Sequence, residues 1–269
     1  MRKESVLFMA LIDCPECQGK VSSLAVACPQ CGFPVKEYFL NLGKLKKENA
    51  LKELFKNNTS LQKIVNGANI MLGSYKGAPM WWTVKERIGD FAYLLNVGCL
   101  DFKAYNTRKS EADWNRSTIR EWLNDEFLKN SFSEEEMSLI CKIKTVDKHA
   151  SGFVVGSRCV DDNDMILLPS EAEAKRYGIT LVPVTKYALE NCPNTGKLYS
   201  SQYNRNNNVR YTRVWLRTDN DYYTSKSSTR AMVTEPNGVD TFGEGVYSNY
   251  IGICPCMWIK VPNITVEKD

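Results

Sequence analysis

Four cysteines stand within eighteen residues near the start of the chain, as Cys14-Pro-Glu-Cys17 and Cys28-Pro-Gln-Cys31 with ten residues between the pairs. A Cys-x-x-Cys turn sets two sulfurs on one side of a metal, and two such turns facing each other close a tetrahedral shell. Zn²⁺ suits four thiolates at about 2.3 Å each, and a closed shell leaves no position open for catalysis. Gly32 supplies permissive backbone after the second knuckle, whereas Gln18 precedes Gly19 in the first, so a slightly strained turn is expected there. A redox pair would need a thioredoxin-like helix in a βαβ unit, and no such unit surrounds these cysteines. The expectation is one structural zinc on Cys14, Cys17, Cys28 and Cys31, in a unit over residues 9–35 that takes its folding energy from the metal.

Other chemistry-bearing residues are sparse. The single histidine, His149, lies in a polar stretch with no catalytic partner indicated, and reads as a solvated loop residue. Asp161-Asp162-Asn163-Asp164 lacks the loop glycine and final glutamate of an EF-hand, and reads as an acidic turn. No catalytic residue is assigned, and a non-enzymatic protein is expected. Residues 199–228 are rich in Tyr, Asn, Ser and Arg around a short apolar strand at Val214–Leu216. Such residues give adaptable contacts at low entropic cost, as in antibody loops. The candidate ligand contacts are Tyr203, Arg205 and Asn207 before the strand, Arg217 on it, and Asp219, Tyr222 and Tyr223 after it. The expected ligand is a protein or a carbohydrate, recognised on loops that a rigid sheet carries.

The chain that must position these residues has 269 residues, 43% hydrophobic and 25% charged, enough for one sizeable core and a small appendage. No apolar run approaches the ~20 residues that span a bilayer. The net charge of +4 is spread without a dense basic block, which argues against nucleic acid or an anionic membrane as partner. The opening MRKESVLFMALIDC imitates a lipoprotein signal, but its apolar stretch is short and Asp13 stands where a small residue belongs. Residues 1–8 read as an upstream extension. Ten cysteines without an export signal fit a reducing, cytoplasmic setting, with the six outside the knuckles as buried thiols.

Residues 36–66 read as a helical linker, with Leu45, Leu51, Leu54 and Phe55 among lysines and glutamates, stopping near Asn57. From residue 67 the texture is that of a meander: IMLGSY, MWWTV and FAYLLNV are strand-like runs broken by turns. In STIREWLNDEF, Ile119, Trp122, Leu123 and Phe127 share one helical face. Capping boxes are expected at Ser133 with Glu136 and at Ser170 with Glu173, the second helix ending at Gly178. MILL reads as a buried strand, Pro236-Asn237-Gly238 as a hairpin turn, and ICPCMWIKV as a closing strand. Trp82, Leu94, Ile119, Trp122, Leu123, Phe127, Leu167, Trp215 and Trp258 form the expected core. The fold class is α+β.

Taken in order over about residues 66–262, these runs resemble the bacterial domain-of-unknown-function family 6273, whose members often carry a zinc ribbon like the one at residues 9–35. The resemblance covers IMLGSY through YLLNVGCLDFKAYN, DWNRSTIREWLNDEFLKNSFSEEEMSLI, MILLPSEAEAKRY, VWLRT and GICPCMWIKV. It implies, more distantly, the C-type-lectin-like fold of formylglycine-generating enzymes and of diversity-generating-retroelement variable proteins. That fold is an irregular antiparallel sheet with flanking helices, here over 67–263, with long loops as a binding face. The family's Trp-Leu-Arg stretch is matched by Trp215, Leu216 and Arg217, but its Val-Arg-Pro becomes Ile253-Cys254-Pro255. Formylglycine-generating enzymes hold copper with a cysteine pair. The resemblance therefore raises an alternative, a copper- or iron-dependent oxidoreductase using Cys254 and Cys256, two thiols on one strand face. Core packing is the stronger reading of both. A narrower alternative is a retroelement-diversified receptor.

Overall fold

A computed structural model describes residues 11–107, 112–144, 163–200, 209–219 and 229–261. His149, Asp161, Asp162 and the candidate contacts Tyr203, Arg205, Asn207, Tyr222 and Tyr223 lie outside the described residues. Strands are numbered β1–β16 and helices α1–α6 along the chain. Two units are separated at Asn57/Asn58.

The first unit is the hairpin β1 (Leu11–Asp13) and β2 (Lys20–Ser22), followed by α1 (Val35–Asn57). Its core is small: Cys14, Val21, Cys28 and Val35, with Ile12, Ala25 and Phe33 packed against them. So few apolar side chains cannot order a unit of this size unaided. The linker helix is longer than the sequence pattern indicates. It starts at Val35, directly after the second knuckle, where Pro34 presets the backbone for a first turn and accepts from the Tyr38 N–H. Of the expected apolar stripe only Phe55 is buried, and Leu45 is exposed.

The second unit is mixed α and β, with antiparallel sheets. Its main sheet has the order β16-β5-β4-β3, from β3 (Asn69–Tyr75), β4 (Ala78–Ile88), β5 (Phe91–Asn96) and β16 (Cys256–Lys260). The three strand-like runs expected between turns are β3, β4 and β5. The expected closing strand is interrupted. Pro255 has no N–H to donate, so the ladder restarts as β15 (Gly252–Ile253), which pairs β6 (Asp101–Phe102), and β16, which pairs β5. A second sheet orders β12 (Trp215–Asp219), β13 (Arg230–Glu235) and β14 (Gly238–Gly245), with the turn falling at Pro236-Asn237 as expected. A third joins β10 (Tyr199–Ser200), β11 (Arg210–Thr212) and β9 (Val182–Pro183). The short pair β7 (Ile143–Lys144) and β8 (Asn163–Asp164) completes the strands. MILL is not a strand. Ile166, Leu167 and Leu168 are buried, but only Leu167 bridges, to Cys256 on the outer edge of β16.

The helix drawn from STIREWLNDEF is α2 (Thr118–Trp122), a π-helical turn over Leu123–Phe127, and α3 (Leu128–Ser131). A π turn inserts one extra residue and rotates the helical turns before it against those after it. Ile119, Leu123 and Phe127, spaced four apart, stay on the buried face, whereas Trp122 is only half-buried. Trp258 is half-buried too, against the Tyr93 ring. The other seven expected core residues are at most 2% exposed.

Both capping boxes form, at the starts of α4 (Glu134–Leu139) and α5 (Glu171–Tyr177), and Gly178 ends α5 in the left-handed conformation; α6 (Lys186–Glu190) follows. Each capping glutamate also serves a second element. Glu136 accepts the Ser133 N–H on one oxygen and the N–H of Gly73, on the β3 edge, on the other. There β3 bulges at a φ of +72°, and a Cβ on Gly73 would lie 2.5 Å from the Ser131 carbonyl, so only glycine fits. Glu173 accepts the Ser170 N–H and, on the same oxygen, Nη1 of buried Arg217 at 2.7 Å.

Burial alone would raise the Glu173 pKa, but the Arg217 charge and the hydrogen bonds from Arg217 and Ser170 outweigh it, holding the carboxyl below its ordinary value. A folded-state pKa below the unfolded one contributes stability above about pH 4.3, and that contribution is lost as pH falls through the folded value. Glu173→Ala is expected to destabilise the full chain at neutral pH by about 3–5 kcal/mol, because it removes one partner of a buried ion pair. The same variant should lose less further stability than the parent on acidification. Urea unfolding at neutral and acidic pH measures both.

Candidate functional site

The two knuckles are built alike. In the first, the Gln18 N–H donates to the Cys14 carbonyl and the Cys14 N–H to the Gly19 carbonyl; in the second, Gly32 donates to Cys28, and Cys28 to Phe33. Cys14 and Cys28, the first cysteine of each pair, are buried, and Cys17 and Cys31 are exposed. The residue after each pair has a left-handed backbone, φ +60° at Gln18 and +78° at Gly32. The strain expected at Gln18 is thus present as a side chain in a conformation that glycine adopts freely.

The four sulfurs converge. Cys14 and Cys31 lie 3.6 Å apart, Cys17 and Cys28 3.7 Å apart, and all four within 4.8 Å of one another. A regular tetrahedron with metal–sulfur bonds of about 2.3 Å has edges of roughly 3.8 Å. The arrangement can therefore hold a metal ion. The N–H groups of Cys31 and Gln30 point at the Cys28 sulfur and lower its pKa to about 7. At Cys31 the Phe33 N–H pulls the other way from burial and the three neighbouring thiols, which push it up to about 12. A cation at the centre would reverse that repulsion and favour four thiolates. Among the described residues this is the one grouping of three or more Cys, His, Asp or Glu side chains with such convergence.

Cys254 and Cys256 are fully buried. The Cys254 thiol donates to the Asn96 carbonyl at 3.3 Å, and burial pushes it up to about 12. Burial also drives Cys256 well above its ordinary value, with Glu173 adding to the effect. Protonated thiols are weak metal ligands, and both side chains pack as small hydrophobes.

Of the candidate ligand contacts, Arg217 and Asp219 fall on β12, the latter as its last residue. Arg217 is 7% exposed, and its Nη1 also donates to the Leu168 carbonyl at 2.7 Å. Its backbone N–H reaches the Pro169 carbonyl, and its own carbonyl accepts from Tyr105. The Trp215 indole donates to the Lys103 carbonyl. The Trp-Leu-Arg stretch therefore anchors β12 to the start of α5 and to the chain beyond β6. Asp164, read as part of an acidic turn, is buried and ion-paired with Arg120 at 2.7 Å, with the Trp114 indole on its other oxygen. The cluster of acids at 161–164 hid that pair; its partner, an arginine in the first turn of α2, is 44 positions away.

The model of a family described as Domain of unknown function (DUF6273) matches residues 89–261. The chain belongs to the DUF6273 family. Neither the curated proteins nor the solved structures gave a match. The DUF6273 match begins at Gly89, in the turn between β4 and β5, so β3 and β4 lie ahead of it. Both nonetheless belong to the sheet that β5 and β16 complete. The four cysteines also lie ahead of the DUF6273 region. None of the described helices is long and apolar enough to cross a membrane.

Adding a side chain to Gly32 tests the knuckle geometry. No atom lies within 4 Å of a Cβ placed there, so the cost is the backbone conformation alone. Gly32→Ala is expected to cost about 1 kcal/mol, seen as roughly fivefold weaker metal retention in a competition titration with a chromophoric chelator.

Proposed function

We propose that the chain is a ligand-binding module without catalysis of its own, in which a zinc ribbon staples the N-terminal unit and a lectin-like domain presents recognition segments. The observation that carries the reading is the pairing around the two Tyr/Asn-rich stretches. Tyr199 pairs with Tyr211 and Ser200 with Arg210, so residues 201–208 join two paired strands. Asp219 pairs with Ala231, so residues 220–228 join another two. Adaptable side chains on rigidly rooted connections are the arrangement that binding surfaces use. The two stretches leave opposite ends of the run Arg210–Asp219 and are rooted in different sheets. The reading gives recognition to the Tyr222 and Tyr223 side, whose root the Arg217–Glu173 pair clamps. The ligand class is protein or carbohydrate.

Zinc is the metal proposed for the Cys₄ set. Sulfur separations near the tetrahedral edge, a closed all-thiolate shell and a nearly coreless unit all favour it. What supports a lectin-like domain is an antiparallel sheet that brings a late strand, β16, against an early hairpin, with a separate hairpin sheet and short helices around it. The proposed location is the cytoplasm, where thiols stay reduced.

Native mass spectrometry should find one zinc per chain, lost when Cys14, Cys17, Cys28 and Cys31 are all replaced by serine; a zinc-free parent would refute the assignment. For recognition, Tyr222→Ala combined with Tyr223→Ala should leave the melting temperature nearly unchanged and abolish the parent's signal on glycan and peptide arrays. An unchanged array profile places recognition elsewhere.

A further inference from the structure

The β3–β4 hairpin, the π-helical turn and α3 line a cleft of about 340 Å³ that includes none of the four cysteines. Tyr75 and Trp122 form two of its walls, with ring centroids 6.2 Å apart and planes at 85°. Both rings are fixed in place. The Tyr75 hydroxyl donates to Asp101 at 2.6 Å, and Lys103, itself 3.8 Å from Asp101, sits over the Trp122 ring at 4.7 Å. Lys76 holds a non-glycine left-handed turn, φ +50°, and rests its ammonium near the Tyr75 and Tyr187 rings. Non-glycine residues at such angles, and π turns, gather at functional sites.

Several polar groups of the residues lining the cleft have no partner among the described residues. The indole N–H groups of Trp82, Trp114 and Trp215 each donate to the fold, whereas that of Trp122 has no acceptor among the described residues. The hydroxyl of Ser131, a residue that lines the cleft, is buried without a partner among the described residues. Glu126 and Asn130 are exposed at the rim, with no hydrogen bond or ion pair to any described residue. A buried hydroxyl without a partner costs free energy that a ligand or an ordered water would recover.

We infer that this cleft binds the pyranose ring of a neutral saccharide. The rim charges, Lys76 and Glu126, balance, so a charged ligand gains little. Aromatic walls suit the C–H faces of a sugar, and free donors and acceptors side by side suit hydroxyls, which both donate and accept. Rings held before a ligand arrives lower the ordering cost of binding. None of the cleft's lining residues belongs to the Tyr/Asn-rich stretches, so the inference does not rest on the recognition proposed for them.

The test is an NMR titration of the ¹⁵N-labelled full chain, following the Trp122 indole signal, assigned by its loss in Trp122→Phe. The probes are glucose, galactose, mannose and N-acetylglucosamine, with glucosamine and glucuronic acid as charged controls. At least one neutral sugar should shift the signal saturably, with Kd on the order of 1 mM. Glu126→Gln combined with Asn130→Ala, both at exposed positions, should weaken that response about tenfold without changing the melting temperature. Tyr222→Ala with Tyr223→Ala should leave it intact. No shift with any neutral sugar, a shift only with the charged controls, or a shift unaltered by the rim variant would each overturn the assignment.

Discussion

Two glutamates hold the DUF6273 unit together. A capping box normally satisfies two N–H groups at the start of one helix, a local matter. Here the carboxylates of Glu136 and Glu173 also reach across the fold, one to the backbone of β3 and the other to the guanidinium of β12. The start of α4 is thereby fixed against the main sheet, and the start of α5 against the hairpin sheet. Because each carboxylate must satisfy two partners at once, the helix cannot shift without unpairing a buried or half-buried group elsewhere. The glycine at position 73 and the arginine at 217 are the complementary requirements. One admits close approach of backbone, and the other brings a buried positive charge that only a carboxylate can offset.

How far the sequence discloses this depends on the range of each interaction. Ser133 with Glu136, and Ser170 with Glu173, are three residues apart, and the local pattern suffices to place both boxes. The strands β3, β4 and β5 are legible because each is a short β-rich run bounded by turns, with buried positions alternating along β3 and β4 and nearly continuous along β5. The second role of each glutamate spans 63 and 44 positions and leaves no local trace. Arg217 illustrates the same limit from the other side. Among Asn, Tyr and Asp it resembles a recognition residue, yet its charge is turned inward. The cysteine set is the opposite case, since spacing alone determines which four sulfurs can meet.

The π turn bears on one of the two half-buried residues expected in the core, Trp122, and also on the most unusual surface of the unit. In a regular helix Ile119, Trp122, Leu123 and Phe127 would all face inward. The inserted residue turns Trp122 toward the hairpin tip, where Tyr75, Phe127 and Lys103 surround it. Helical periodicity carries no sign of such an insertion, because it arises where packing constraints on α2 and α3 conflict.

The interruption at Pro255 has a consequence for how the chain is made. The sulfur of Cys254 and the carbonyl of Asn96 touch across 158 positions, and β16 follows at once to cover the open side of β5. On the ribosome β5 therefore waits, one edge unpaired, while nearly the whole domain is synthesised. Bridges from Ile140 and Leu167 to β16 have nothing to join until then. A chain that defers its central pairing this long folds slowly and offers a sticky strand edge to its neighbours meanwhile. For such a chain the unpaired edge of β5 is most exposed while synthesis is still under way.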